Sequence, residues 1–263
     1  MSDKPLVIAI LAKSVGHILP LYLESILAQT EVSSNTIFYI RTNDNKDNTS
    51  EILEDFYRKY KWKYKMVIDT SSIDSNLVNI PNHQWGYNRF KILGKIRQKS
   101  IEFARNESAD YFIADCDNIC LPHTIKSLRQ TGLDCVSPFL KMLKENHMYS
   151  NYHAAIDKNG YFKNSDLGTQ IWSQRIKGLI ELPVIHCTYY LSNKILKDVV
   201  YDDESGRYEY VIFSDNLRKK GIPQYLDNRE IYGRLFFSTD HEKFEEEKNY
   251  PACKDLQKKI FKI

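Results

Sequence analysis

The stretch Asp110-Tyr111-Phe112-Ile113-Ala114-Asp115-Cys116-Asp117-Asn118 decides how the rest of the chain is read. Tyr111 to Ala114 form a short apolar run, the signature of a buried strand, and two carboxylates one residue apart stand where it ends. Side chains two apart on an extended chain point to the same side, so Asp115 and Asp117 can converge on one ion. A hard divalent cation held by few carboxylates keeps coordination places for phosphate oxygens and water. The stretch therefore reads as a metal–diphosphate site. In the plainer reading, Asp117-Asn118 only cap a helix beginning near Pro122. The position directly after a buried strand favours the ion.

Upstream, Leu6-Val7-Ile8-Ala9-Ile10-Leu11 is a continuous apolar run, as in a strand buried on both faces. Residues 18–29 carry apolar side chains at helical spacing, and residues 35–40 read as a second strand. Asn48-Thr49-Ser50-Glu51 has the form of a capping box that opens a helix through about Tyr60. Met66 to Asp69 give a third strand. A polar segment, 71–87, leads to a long helix over 88–106, with Phe90, Leu93, Ile96, Ile101 and Phe103 facing inward. Strand and helix alternate four times before residue 120, which predicts a mostly parallel, doubly wound α/β sheet. Ligands of such sheets bind outside the carboxyl ends of the strands. The loops 12–17, 41–47 and 115–118 then border one crevice.

The second half is less regular. Residues 134–140, 149–156 and 182–191 read as strands, 209–220 as a helix ending at Gly221, and 222–226 as a strand. Residues 241–262 read as a charged, exposed helix or tail broken at Pro251. No linker or repeat interrupts the chain. It is expected to be one domain over residues 1–263, with a nucleotide-sugar half to about 120 and an acceptor half and tail beyond.

Composition sets the class. Hydrophobic residues at 42% and charged residues at 27% of 263 fit a globular protein with a sizeable core. A net charge of +3 offers no basic face for nucleic acid. Eighteen Tyr and twelve Phe suit sugar stacking as well as ordinary cores. Five scattered Cys without a Cys-x-x-Cys pair indicate neither a zinc ribbon nor a disulfide framework. No run reaches the ~18 apolar residues of a membrane span, and Leu6 to Ala12 are too short for a signal-peptide core. A cytoplasmic, reducing setting is the expectation, in a viral or microbial source.

No glycine-rich phosphate loop follows the first strand and no Gly-x-Ser-x-Gly elbow is present, so a metal has to carry the phosphate charge. Several stretches then become specific. They include Leu11-Ala12-Lys13 with His17-Ile18-Leu19-Pro20, Asp47 to Leu53, Arg89-Phe90 with Lys95-Ile96-Arg97-Gln98, and Asp110 to Asn118. Tyr149-Ser150-Asn151-Tyr152, Pro183 to Thr188 and Tyr225 to Gly233 complete the set. In this order, over about residues 6–235, the chain resembles the glycosyltransferase domain of procollagen galactosyltransferases and the related cerebral endothelial cell adhesion molecule. The resemblance implies a GT-A fold, a UDP-sugar donor (UDP-galactose or UDP-glucose), Mn²⁺ or Mg²⁺ on the acidic motif, and transfer of the hexose to a hydroxyl of a protein or glycan acceptor. The chain departs from the family pattern at Tyr208-Glu209-Tyr210, where one acid replaces a pair, and at Ile231, where the family has His.

Roles follow from motif and resemblance together. Asp115 and Asp117 are the expected metal ligands, with Asp110 supporting them. His241 is the candidate third ligand, because GT-A enzymes often draw it from the C-terminal part, and an idle surface His is the plainer reading. His186, in an apolar run, reads first as a core histidine. Ala12, Lys13, Thr42, Asn43 and Asp44 sit at the first two strand ends, where the uridine would lie. Arg89 would reach the donor from its helix start, or form a surface ion pair. Trp85 stacks on a sugar or staples that helix. Glu209 is the candidate base for an inverting transfer, with Asp215 and Asp166 behind it; the alternative is a solvated helix-start Glu. Two other classes stay open: a nucleotidyltransferase that makes a nucleotide sugar, and a non-catalytic glycan- or collagen-binding member of the same fold.

Overall fold

The computed structural model describes residues 4–71, 86–144 and 148–262. Strand and helix alternate first: β1 (Leu6–Leu11), α1 (Leu19–Leu27), β2 (Thr36–Arg41), α2 (Thr49–Tyr60), β3 (Lys65–Asp69), α3 (Tyr87–Asn106) and β4 (Asp110–Ala114). Shorter elements follow: β5 (Asn118–Cys120), α4 (Thr124–Gln130), β6 (Cys135–Pro138), β7 (Leu140–Met142), β8 (Tyr152–His153), α5 (Asp166–Trp172), β9 (Leu179–Glu181), β10 (Val184–Ile185) and β11 (Thr188–Leu191). A 3₁₀ turn over Asn193–Asp198 precedes α6 (Glu209–Lys219), β12 (Tyr225–Asp227), β13 (Gly233–Leu235), α7 (His241–Lys248) and α8 (Pro251–Phe261).

Eight strands form the main sheet in the order β3-β2-β1-β4-β11-β6-β12-β9. β3, β2, β1 and β4 are parallel. β11 runs antiparallel between β4 and β6, and β12 pairs parallel with β6. Alternate residues of β1 feed opposite faces. Leu6, Ile8 and Ile10 pack with α1, α2, α4 and α8, while Val7 and Ala9 pack with α3 and α6. The result is an α/β/α sandwich whose order reverses at β1–β4, the point where a doubly wound sheet opens its ligand crevice.

Four sequence expectations change in detail. The capping box is not used: Asn48 precedes α2 without a side-chain cap, and the Thr49 amide instead donates to Asp47 Oδ1 at 3.1 Å. The strand expected over 182–191 is cut into β10 and β11 by Cys187, whose φ of +63° breaks the extended run. The strand expected over 149–156 shrinks to β8, because Asn151 turns its side chain into the fold. Asn151 Nδ2 donates to Ser137 Oγ at 2.6 Å and to Pro138 O at 2.8 Å, and the Leu140 amide donates to Asn151 Oδ1 at 3.3 Å. The charged C-terminal segment is not a loose tail either, since Phe244, Cys253, Leu256 and Ile260 are buried against the sandwich. No helix among the described residues is long and apolar enough to cross a membrane.

A three-stranded sheet, β5-β13-β7, stands at the crevice side of the main sheet. β13 pairs antiparallel with β5, directly after the acidic pair, and the Phe236 amide donates to Asp117 O at 2.9 Å. Gly233 makes this pairing possible, because a Cβ there would stand 2.3 Å from Ile119 O and 3.0 Å from Cys120 Cα, both backbone atoms. Gly233→Ala should therefore cost about 1–3 kcal/mol, read as a lower urea midpoint with unchanged slope; an unchanged midpoint would mean that the two strands are not so closely set.

Candidate active site

The ends of β1, β2 and β4 are tied into one rim. The Ser14 amide donates to Asn45 Oδ1 at 2.8 Å, Val15 to Thr49 Oγ1 at 2.9 Å and Gly16 to Asp47 Oδ2 at 2.8 Å. Cys116 Sγ lies 3.5 Å from Leu11 O. Ala12 is buried and its amide donates to Arg41 O at 2.9 Å, while Lys13 is exposed beside it. Thr42 is buried and accepts from Asn45 Nδ2 at 2.7 Å; Asn43 donates to Asp44 Oδ2 at 2.6 Å, with Asp44 in the left-handed region. The residues expected to meet a uridine thus share one edge of the crevice. Arg89 is half-buried in the first turn of α3, and Trp85 lies outside the described residues.

α3 carries the residue that sequence reasoning left without a role. The helix buries Phe90, Gly94, Arg97, Ser100, Ile101 and Ala104, a stripe at helical spacing. Leu93, Ile96 and Phe103, expected inward, are only half-buried. Arg97 stands inside that stripe at 6% exposure and donates from Nη2 to Asp115 Oδ1 at 2.7 Å. Its Nε lies 3.5 Å from Glu209 Oε1. One guanidinium therefore joins the acid after β4 to the acid that opens α6. Gly94, one turn earlier, lets the helices close: a Cβ there would sit 2.8 Å from Tyr201 O and 3.3 Å from Glu209 Cβ. A lone Arg at an apolar stripe position was the available signal, since a buried guanidinium needs carboxylate partners.

Charges in this crevice are strained by burial. Glu209 is 4% exposed, and desolvation pushes its carboxyl up to about 7 despite the opposing pull of Arg97. Its Oε2, like Arg97 Nη1, has no hydrogen-bond partner among the described residues. Asp117 is exposed at its side-chain surface yet surrounded by the walls of the cleft. Its carboxyl is also pushed up to about 7, first by desolvation and then by the charge of Asp115. Two carboxylates that resist sharing the site fit a divalent cation, which relieves the repulsion and prefers hard oxygen donors.

Other expected residues are placed apart. Asp215 is ringed by Arg207 at 2.9 Å, Lys219 at 2.9 Å and Arg218 at 3.3 Å, and its hydrogen bonds to these cations hold its carboxyl below the usual range. A carboxylate so stabilised is a poor proton acceptor. Asp166 is exposed in the first turn of α5. Asp110 receives Arg129 Nη2 at 3.1 Å and the Asn193 amide at 3.0 Å, at the start of β4 and so at the opposite end of the strand from Asp115, where it supports neither acid. His241 is exposed in the first turn of α7, 3.7 Å from Glu245. Among the described residues no group of three or more His, Cys, Asp and Glu side chains stands close enough to hold a metal. Glu247, from the same helix, instead bonds the Phe237 and Ser238 amides at 3.0 and 3.2 Å, and its charge reaches Asp117. His186 is a core histidine in part: 5% exposed, its Nδ1 2.8 Å from Cys187 Sγ and its Nε2 unpartnered among the described residues.

Several family-like blocks have structural work. In the segment 225–233, Asp227 is fully buried, with Arg229 Nη2 at 2.7 Å and the Tyr232 hydroxyl donating at 2.8 Å. Asn228 accepts from the Gly178 amide at 2.8 Å.

A family model described as glycosyltransferase family 25, N-terminal domain, matches residues 4–249. Procollagen galactosyltransferase 2 of Homo sapiens is 28% identical over 248 residues, covering 89% of this chain and 39% of the relative. Inactive glycosyltransferase 25 family member 3 of Homo sapiens is 26% identical over 250 residues, covering 89% and 41%. The chain thus spans about two-fifths of the length of these relatives. Among solved structures, S. aureus TarS 1–349 in complex with UDP-GlcNAc superimposes with a TM-score of 0.57 at 13% identity, over 98% of this chain and 73% of that one. The mannosyltransferase PcManGT from Pyrobaculum calidifontis, in complex with GDP-Man and Mn²⁺, gives 0.55 at 10% identity, over 100% and 64%. These likenesses bear on the fold, which is that of GT-A glycosyltransferases. The matched model covers nearly the whole chain, and the chain belongs to glycosyltransferase family 25.

Proposed function

We propose that the chain is a divalent-metal-dependent hexosyltransferase that moves galactose or glucose from a UDP-sugar to a hydroxyl of a protein or glycan acceptor, with inversion. The observation that carries this reading is the run Asp117, Asp115, Arg97, Glu209 across the crevice of a GT-A sheet. It sets an anionic pair at the carboxyl ends of the strands and an acid with a raised pKa beyond it. Solved neighbours named as complexes with UDP-GlcNAc, or with GDP-Man and Mn²⁺, support the donor class. Relatives named procollagen galactosyltransferase support galactose and a collagen-like acceptor. Five free cysteines support a reducing, cytoplasm-like setting.

Asp115 and Asp117 would hold Mn²⁺ or Mg²⁺, which supplies neutralisation of the diphosphate leaving group. The protein residues do the rest. The loops after β1 and β2 seat the nucleoside. Arg97 fixes the Asp115 carboxylate, leaving its other oxygen for the donor side. Glu209 takes the proton of the acceptor hydroxyl as that oxygen bonds to the anomeric carbon, and the bond to the diphosphate oxygen breaks to release UDP. A base with a pKa near 7 accepts that proton far better than an ordinary carboxylate.

Incubation with UDP-galactose and UDP-glucose, with Mn²⁺ and with EDTA, tests the reading. Metal-dependent release of UDP is expected, and no release from either donor together with no change in melting temperature would overturn it. Glu209 also predicts a pH dependence of stability. Its pKa rises from 4.5 in the unfolded chain to about 7 in the fold, so the native state holds the extra proton. The stability it confers is then complete below about 4.5 and is lost as pH rises toward 7. Arg97, Asp115 and the Tyr189 and Tyr210 rings face it from α3, β4, β11 and α6. Urea midpoints of metal-free protein should fall between pH 5 and 8, and Glu209→Gln should flatten part of that fall. A slope unchanged by the substitution would remove the argument.

A further inference from the structure

Tyr149 and His153 on one segment, with Phe162, His186, Tyr210 and Phe237 from four others, meet beside the candidate site. Tyr149 and Phe237 meet edge-to-face at 5.3 Å, His153 and Phe162 at 5.4 Å, and His186 lies 5.2 Å from both His153 and Tyr210. Tyr149, Phe162 and Phe237 are 45%, 58% and 48% exposed, an unusual amount of aromatic surface in one place. Below them His153 and His186 are buried, and burial holds both imidazoles neutral. His153 Nδ1 and His186 Nε2 have no hydrogen-bond partner among the described residues. Buried polar atoms without partners are rare and call for an occupant.

The place of the cluster narrows that occupant. At one end the charges of Asp117 and Asp115 reach the Tyr149 hydroxyl. At the other, Tyr210 follows Glu209 in α6. The cluster therefore bridges the donor carboxylates and the base, where the nucleophile has to lie. Tyr149 and Phe237 also line a neighbouring cavity of about 650 Å³ whose walls include Met142, Lys144, Lys243 and Glu246 and neither imidazole. A pyranose has an apolar C–H face and a rim of neutral hydroxyls. The exposed rings match the first and the two neutral imidazoles match the second. A linear ammonium-bearing side chain offers the exposed rings no comparable apolar C–H face.

We propose that this aromatic–imidazole cleft is the acceptor subsite and that it takes the pyranose ring of a glycan acceptor, an inference that rests on the transferase reading. The test is saturation-transfer NMR of methyl β-D-galactopyranoside on the full chain with UDP and Mn²⁺, with free L-lysine as the comparison probe. The melting shift caused by UDP and Mn²⁺ is followed separately. Transfer to the ring C–H protons of the galactoside is expected, with little to lysine. Phe162→Ala and Tyr149→Ala should each weaken galactoside binding about tenfold, and Phe162→Ala should leave the UDP shift unchanged. With the UDP shift intact, no transfer to the galactoside, preference for lysine, or full binding in both variants would each overturn the subsite. If UDP and Mn²⁺ give no shift and neither UDP-galactose nor UDP-glucose releases UDP, the transferase reading fails instead. Galactoside binding lost in the variants would then still establish the cleft as a glycan site, and absence of binding would remove both.

Discussion

Asp117→Asn should lose metal-dependent release of UDP by about a thousandfold while the protein stays folded. The amide keeps the shape of the side chain but removes one of the two charges that would hold the cation. Stabilisation of a leaving diphosphate by a metal is worth several kcal/mol, and each 1.36 kcal/mol is tenfold in rate. Folding should not suffer, because the side chain is exposed and its charge is unwelcome beside Asp115. Steady-state assays with Mn²⁺, alongside thermal denaturation in EDTA, check both halves. Full activity in the variant would exclude Asp117 from the donor site, and collapse of the fold would mean that the acid has a structural task.

Arg97→Met should destabilise the protein by about 3–5 kcal/mol, the range seen when one partner of a buried ion pair is removed. Two acids then lose their common counter-charge, and one of them, Glu209, is almost without solvent. The second substitution Glu209→Gln should return a good part of the loss, because the charge left unpaired in the interior is gone. Urea unfolding of the two single variants and the double variant gives the coupling directly. Additive losses would mean that Arg97 and Glu209 do not interact across their 3.5 Å separation.

The fold was legible wherever periodicity was strong. β1, β2 and β4 and the helices between them follow apolar runs and helical spacing within a residue or two. The second half resisted because its strands are two to four residues long, too short to carry a period, and because single residues set their ends. Cys187 in a left-handed conformation and the inward Asn151 leave no local trace. At the candidate site, the two acids after β4 and the acid that opens α6 stand out in the sequence, whereas the ion pairs that join Asp115 and Glu209 through Arg97 and the meeting of the two imidazoles do not. Arg97 belongs to an inward stripe that apolar counting rotates by about one residue. His153 and His186 are brought together by the pairing of β8 with β10, which ends one residue before His186.

The placement of β11 has a consequence for how the chain acquires its structure. β4 ends in the acidic pair, and one of its two neighbours is a strand that begins at residue 188. Until that segment is synthesised, β4 is an open edge made of Tyr111, Phe112 and Ile113, apolar and ready to pair with another chain. Contacts so distant along the sequence form late and slowly. A fragment that stops near residue 130 should therefore aggregate rather than fold, although it holds the whole strand–helix alternation. Strands from before and after residue 130 share one sheet, so neither part has a complete sheet without the other.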